Sequence, residues 1–169
     1  KTSARKETQA ALEADVGTAI ANALDLTDHR LRQVGVDVHY RRPQPAVTVA
    51  VNPVHLEQVL INLIANAADA MEKAPVRILS IGVESDGDRT RIAIADTGAG
   101  IRPEDMPGLF DPFFTTKPAG KGLGLGLAIS HGLIHNSAGT IAVKSRPGKG
   151  STFTITAPAS RTDSARISA

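Results

Sequence analysis

The stretch that most constrains this fold is NPVHLEQVLINLIANAADAM, residues 52–71. Asn52 suits a helix cap, and Pro53 suits the first helical position, where its missing N–H costs nothing. Leu56, Val59, Leu60, Leu63, Ala67 and Ala70 recur at helical spacing. At about 100° per residue they share a face roughly 120° wide. Gln58, Asn62, Asn66 and Asp69 fall on the other side, within about 80°. The pattern predicts a largely buried helix whose polar face carries amides and one acid where Lys, Glu and Arg are usual. A carboxamide oxygen is a neutral ligand suited to a hard cation such as Mg²⁺. Taken alone, the stripe is equally a polar face that happens to avoid charge.

The composition narrows the classes. A chain of 169 residues has room for one domain with a sizeable core, and 41% hydrophobic with 21% charged residues is ordinary for a globular protein. The formal net charge is only +2, with no Lys/Arg run and 3% aromatics, which argues against a nucleic-acid surface. The absence of cysteine excludes disulfides, thiol chemistry and Cys-zinc sites. No apolar run reaches membrane-spanning length and KTSARKETQA is no signal peptide, so no direct membrane contact is expected of this segment. Three of the four phenylalanines sit together in LFDPFF, as Phe110, Phe113 and Phe114, where a core would spread them out.

Taken in order, residues 4–24 read as an amphipathic helix through Leu12, Val16, Ile20 and Leu24. Alternation predicts strands over 34–40 and 46–51 before the asparagine helix, then over 76–84 and 89–96 with a hairpin turn at 85–88. From 97 to about 122 periodicity is lost among prolines and glycines, as in a functional lid. GLGLGLAISHGLIHNSAG then reads as a glycine-rich entry to a helix of about 12–14 residues. Strands over 139–145 and 151–157 follow, then a loose polar tail over 159–169. The order α β β α β β, lid, α β β implies an α/β two-layer sandwich, with a mixed, mostly antiparallel sheet covered on one face by three helices. The expected division is a helical segment over 1–24, a domain over 25–158 and the tail.

Several motifs carry chemistry. Asp96-Thr97-Gly98-Ala99-Gly100 follows a strand, where a carboxylate can accept from an exocyclic amine such as adenine N6 and the glycines admit a flat ring. Gly120-Lys121-Gly122-Leu123-Gly124-Leu125-Gly126-Leu127 opens a helix whose first amides can face an anion. It is neither a P-loop, since Lys121 and Lys149 are each followed by Gly, nor a dinucleotide fingerprint, since no strand leads into it. LFDPFFTTK offers a hydrophobic latch, with Lys117 free to reach a phosphate, or else a small cluster under a long loop. Thr152 in GKGSTF can add a hydroxyl to an adenine pocket or be an ordinary strand threonine.

The asparagine helix, DTGAG, FDPFFTTK, GKGLGLGL and GKGSTF, in that order over residues 55–157, resemble the N, G1, F, G2 and G3 boxes of sensor histidine kinase catalytic domains. NAADAM and FDPFFTTKPAGKGLGLGLAIS look most like the branch of nitrogen-regulation and C4-dicarboxylate transport sensors. The resemblance implies a Bergerat fold that binds ATP (or ADP) with Mg²⁺ between the asparagine helix and the lid. By position it implies Asn66 as the Mg²⁺ ligand, Asn62 supporting metal or phosphates, and Asp96 holding adenine N6 over Gly98 and Gly100. It places Gly122, Gly124 and Gly126 against phosphates, with Lys117 pairing there. Asn62, Asn66 and Lys117 form the implied catalytic set, and Asp69, Ile101, Phe114, Lys121, Leu123, Leu125, Leu127 and Thr152 complete the nucleotide contacts.

Two positions depart from that family. Many members carry Lys or Arg where this chain has Asp69, which is therefore expected to order water near the metal. Relatives that hydrolyse ATP carry a glutamate base where this chain has Asn62, and an amide cannot take a proton from water. Moreover, His29, His39, His55, His131 and His135 are followed by Arg, Tyr, Leu, Gly and Asn, so none matches the family's phosphoacceptor. The resemblance thus implies transfer to a histidine on separate dimerisation helices, a response regulator downstream, and a cytoplasmic site. The parent would be a homodimer anchored in the inner membrane, and this segment a monomer. A self-sufficient ATPase of the same fold and a non-catalytic nucleotide-binding module remain the alternatives.

Overall fold

The computed structural model describes residues 12–117 and 124–160. In chain order the elements are β1 (Ala14–Asp15), α1 (Val16–Val34), β2 (Asp37–Tyr40), β3 (Thr48–Val49), α2 (Pro53–Ala70), β4 (Ile78–Asp86) and β5 (Arg89–Asp96). A 3-10 turn at Pro103–Asp105, α3 (Gly126–Asn136), β6 (Thr140–Arg146) and β7 (Gly150–Pro158) follow. β2, β4, β5, β7 and β6 lie side by side in that order; β2 runs parallel to β4, and the other pairs are antiparallel. β1 and β3 form a separate antiparallel pair.

Local signals explain the asparagine helix. The Asn52 side chain accepts from Val54 N at 2.9 Å and Pro53 opens α2, as the sequence predicts. Leu56, Leu60, Leu63 and Ile64 are fully or almost fully buried, facing Val16 and Ile20 of α1, Ile134 of α3, and the sheet residues Leu79, Ile92, Ile94 and Ile155. Each such aliphatic side chain contributes about 1.5–3 kcal/mol relative to exposure. The strands alternate accordingly. Ile92, Ile94, Phe153 and Ile155 face the helices, while Ala93, Ala95, Thr152 and Thr154 lie on the other side of the sheet.

The N-terminal half departs from expectation. The helix expected over 4–24 starts at Val16, capped by Asp15, and runs to Val34 as one rod. It crosses the division expected at residue 24, and its buried positions continue through Thr27, Leu31 and Val34. Residues 1–11 lie outside the described residues. The strand expected from 34 begins only at Asp37. Gly35 adopts φ 80° and bonds back to Leu31 and Arg32, while Val36 N donates to Leu31 O. At the other end, Ser160 N donates to Thr48 O at 3.0 Å and Ala159 bridges Val49, so the start of the expected tail is paired.

Two glycines offer a paired test of this backbone. Gly100 has φ 73°, and a Cβ there would sit 2.2 Å from Arg146 O, whereas a Cβ on strand residue Gly82 meets nothing within 4 Å. Urea unfolding is expected to show Gly100→Ala destabilised by roughly 2 kcal/mol or more, through strain and overlap. Gly82→Ala should be neutral or gain up to about 1 kcal/mol.

Candidate functional site

The polar face of α2 meets three other parts of the chain. The Asn62 amide donates to Gly126 O at 3.0 Å and Ser130 Oγ at 3.1 Å, which ties α2 to the first turn of α3. Asn66 Oδ1, one turn on, accepts from the Lys117 ammonium at 3.0 Å. Lys117 Nζ also lies 2.6 Å from Asp69 Oδ2, and Asp69 Oδ1 takes Arg30 Nη2 at 2.8 Å. Burial alone would raise the Asp69 carboxyl, but hydrogen bonds from Lys117 and Arg30 outweigh it and hold the group below the ordinary carboxylate range. Asp69 is therefore engaged by two cations, Lys117 and Arg30.

A second part of the site is built around Asp96, the last residue of β5. Its carboxylate is 8% exposed and accepts from Gly98 N at 2.9 Å. Burial pushes its pKa up, while backbone N–H groups of Gly98 and Ser151 pull it back. Gly98 lies so close to α2 that a Cβ would be 2.5 Å from Ala70 O, and Ala99 N donates to that same carbonyl at 3.0 Å. Gly148 N bonds Ala99 O at 2.7 Å, and Ile101 N bonds Ser145 Oγ at 2.8 Å. The DTGAG loop is thus pinned between α2 and the β6–β7 turn. The loop presents one buried acceptor, the Asp96 carboxylate.

The phenylalanines and the start of α3 form a third part of the site. Phe110 lies against His131 with the rings tilted by 33° and centroids 4.9 Å apart, and Phe114 packs against the core. Phe113 is 71% exposed at φ 66°. Its N–H donates to Gly124 O at 3.0 Å, and a Cβ on Gly124 (φ 71°) would sit 2.4 Å from Phe114 O. Gly124 is therefore fixed by close backbone approach. Leu125 precedes α3 with no side-chain cap, so the amides of its first turn are not taken by a cap.

The structure brings Asn62, Asn66, Asp69, Lys117 and the start of α3 together, and sets Thr152 apart. Thr152 pairs with Ala95 on the face away from the helices, whereas Ser151 pairs with Asp96 and shares its buried face. Ser151 is the hydroxyl at the Asp96 end, in contact with Ser145 Oγ at 2.8 Å. Ile101 and Leu127 pack against the core beside Phe114, and Leu125 is half-buried. Lys121, Gly122 and Leu123 lie outside the described residues. Arg30 and Ser130 were not anticipated. Arg30 joins Asp69 across 39 positions, and no local pattern marks it.

The Asn66 oxygen passes a simple test as a metal ligand, because it already holds a cation, the Lys117 ammonium. Among the described residues no group of three or more His, Cys, Asp or Glu could hold a metal without help. Mg²⁺ at this oxygen would thus need further ligands from the nucleotide phosphates and water.

This layered sheet and amide-bearing helix are similar to those of solved histidine kinase catalytic domains. Full-length ShkA in complex with AMPPNP superposes with a TM-score of 0.75 at 28% identity, over 87% of this chain and 30% of that one. The nucleotide-free catalytic domain of histidine kinase ThkA gives 0.71 at 27% identity, over 86% and 93%. A family model described as histidine kinase-, DNA gyrase B-, and HSP90-like ATPase matches residues 51–161, and the chain belongs to that family.

Its relatives include the two-component sensor PprA of Pseudomonas aeruginosa, 37% identical over 91% of this chain and 17% of that protein. Sensor histidine kinase ZraS of Escherichia coli K12 is 35% identical over 90% of this chain and 32% of its own length. The chain therefore spans a third or less of these relatives. The narrower likeness to nitrogen-regulation and C4-dicarboxylate sensors finds no support among PprA, ZraS and MtrB.

Asp96→Asn separates site from fold. Because the folded-state pKa is raised, the ionised carboxylate costs stability above its unfolded pKa. Relief of that charge should offset weaker backbone hydrogen bonds, leaving thermal stability at pH 7 within about 1 kcal/mol of wild type. Adenine-nucleotide binding should weaken by about 1.5–3 kcal/mol, the scale of a hydrogen bond to a charged group.

Proposed function

We infer that this chain binds Mg–ATP with adenine at Asp96 and phosphates between α2 and the start of α3, and donates the γ-phosphoryl group to a histidine of another segment. The observation that carries this is the Asn66 carboxamide. It projects from a buried helix onto a cation, beside the uncapped first turn of α3. Bound there, Mg²⁺ would neutralise charge on the triphosphate.

The chain's own residues have distinct tasks. Asp96 accepts the adenine amine, and Gly98 and Gly100 let the loop beside it pack tightly on Ala70 and Arg146. Asn62 fixes the α2–α3 distance through Gly126 and Ser130. Lys117 is within reach of phosphate charge from its place at Asn66. In the transfer, the bond from the γ-phosphorus to the β–γ bridging oxygen breaks as a bond to an imidazole nitrogen forms, and ADP leaves. Asn62 stands where a hydrolytic relative needs a base, which supports storage of ATP over hydrolysis by water. The dimerisation helices and a response regulator are the implied partners, and the cytoplasm the implied compartment. A sensor-type relationship to PprA and ZraS supports this assignment.

Calorimetry tests it. Mg–ATP is expected to bind the wild type and to be strongly preferred to Mg–GTP, whose exocyclic groups do not match a lone acceptor at Asp96. Asn66→Ala should keep its fold by circular dichroism while losing the Mg²⁺-dependent part of ATP affinity. Equal binding of ATP and GTP, or unchanged Mg²⁺ dependence in Asn66→Ala, would contradict the assignment.

A further inference from the structure

One charge chain at the phosphate end is not used by this binding scheme. An acid at Asp69, three residues beyond Asn66 on the same helix, would by itself repel a triphosphate. Its two oxygens are divided between cations from distant parts of the chain. Oδ1 takes Arg30 Nη2 at 2.8 Å and Nε at 3.2 Å, and Oδ2 takes Lys117 Nζ at 2.6 Å. Arg30 is anchored in turn by Gln33 Oε1 at 3.3 Å, with Glu72 Oε2 at 3.7 Å. The same Lys117 ammonium reaches Asn66 Oδ1. Side chains on α1 therefore set the guanidinium, the guanidinium sets one carboxylate oxygen, and the other oxygen sets the ammonium on the carboxamide.

We propose that Arg30 and Asp69 are positioning residues that hold the Lys117 ammonium on Asn66 Oδ1 in the nucleotide-free protein, so that the Mg–nucleotide must displace it. This rests on the ATP assignment above. An amide oxygen cannot take an ammonium and a divalent cation at one place, because like charges at contact distance repel strongly. Lys117 is thus a resident stand-in for the metal. When displaced it remains tethered by Asp69 next to the phosphates, where its charge is needed. Asp69, the residue that departs from the family's usual base, becomes the holder of a base supplied from elsewhere. Arg30 offsets the carboxylate's own charge and fixes its orientation, since its fork engages Oδ1 through two nitrogens.

The test reads Lys117 directly in the whole chain. In the nucleotide-free wild type, an amine-reactive ester followed by mass spectrometry should acylate Lys117 at least five-fold more slowly than exposed Lys144. Asp69→Asn should remove most of that protection. Arg30→Met should lower the protection as well, and Arg30→Lys, which keeps a cation but not the two-nitrogen fork, should recover only part of it. In lysine-labelled protein the Lys117 ¹⁵Nζ signal should shift when Mg–AMPPNP is added. Lys117 acylated as fast as Lys144, protection unaffected by Asp69→Asn, or a ¹⁵Nζ signal unmoved in nucleotide-saturated protein would overturn the clamp while leaving ATP binding intact. Failure of the wild type to bind Mg–ATP at all would overturn the site assignment beneath it, and the clamp's displacement with it.

Discussion

Leu56, Leu60, Leu63 and Ile64 leave α2 no freedom to roll. A rotation of one residue, about 100°, would carry Asn62 toward the core and a leucine into water, and an amide buried without partners costs several kcal/mol. The helix is therefore locked in azimuth by its apolar side, and the carboxamides on its polar side inherit that precision. Other features of the site take their bearings from it. The first turn of α3 is bonded to Asn62, the DTGAG loop is bonded to Ala70 O, and Lys117 is bonded to Asn66 and Asp69. A site assembled from one strand end, one loop and one helix start is coherent because each is referenced to the same rod.

Two neighbouring parts of the site, both at the C-terminal end of that rod, do different chemistry. At Asp96 the surroundings are buried and the carboxylate is held by backbone N–H groups, so one acceptor stands in a nearly dry floor. Such a group discriminates between bases more than it adds affinity. At Asn66 and Asp69 the surroundings are partly open and rich in charge, with side chains about one-third exposed. Solvent there screens each pair, so the exchange of one cation for another is feasible where a fully buried pair would be locked. Recognition and reversible charge exchange are thus placed side by side at the C-terminal end of the same helix.

Much of this was legible in the residues. The ends of α2 follow from Asn52 and Pro53, the β4–β5 hairpin from Asp86-Gly87, and β5 from its strict alternation. These are local signals, each decided within a few residues. What escaped was set by longer-range or finer geometry. The alternation of Val34 and Val36 is overridden because Gly35 turns left-handed and closes α1. Thr152 is the hydroxyl expected at the site whereas Ser151 pairs with Asp96, because strand faces cannot be counted until the register is known, and a shift of one residue exchanges them. The Arg30–Asp69 pair depends on the packing of α1 against α2, which no spacing within either helix reveals.

Metal bound beside the Asn66 oxygen is the central claim, and replacing Mg²⁺ with paramagnetic Mn²⁺ tests it most directly. In a ¹⁵N–¹H spectrum of the protein with Mn–AMPPNP, the side-chain amide signals of Asn66 should broaden beyond detection at substoichiometric metal, followed by those of Asn62. Those of the cap residue Asn52, at the other end of α2, should survive. Sharp Asn66 signals in nucleotide-saturated protein would contradict it.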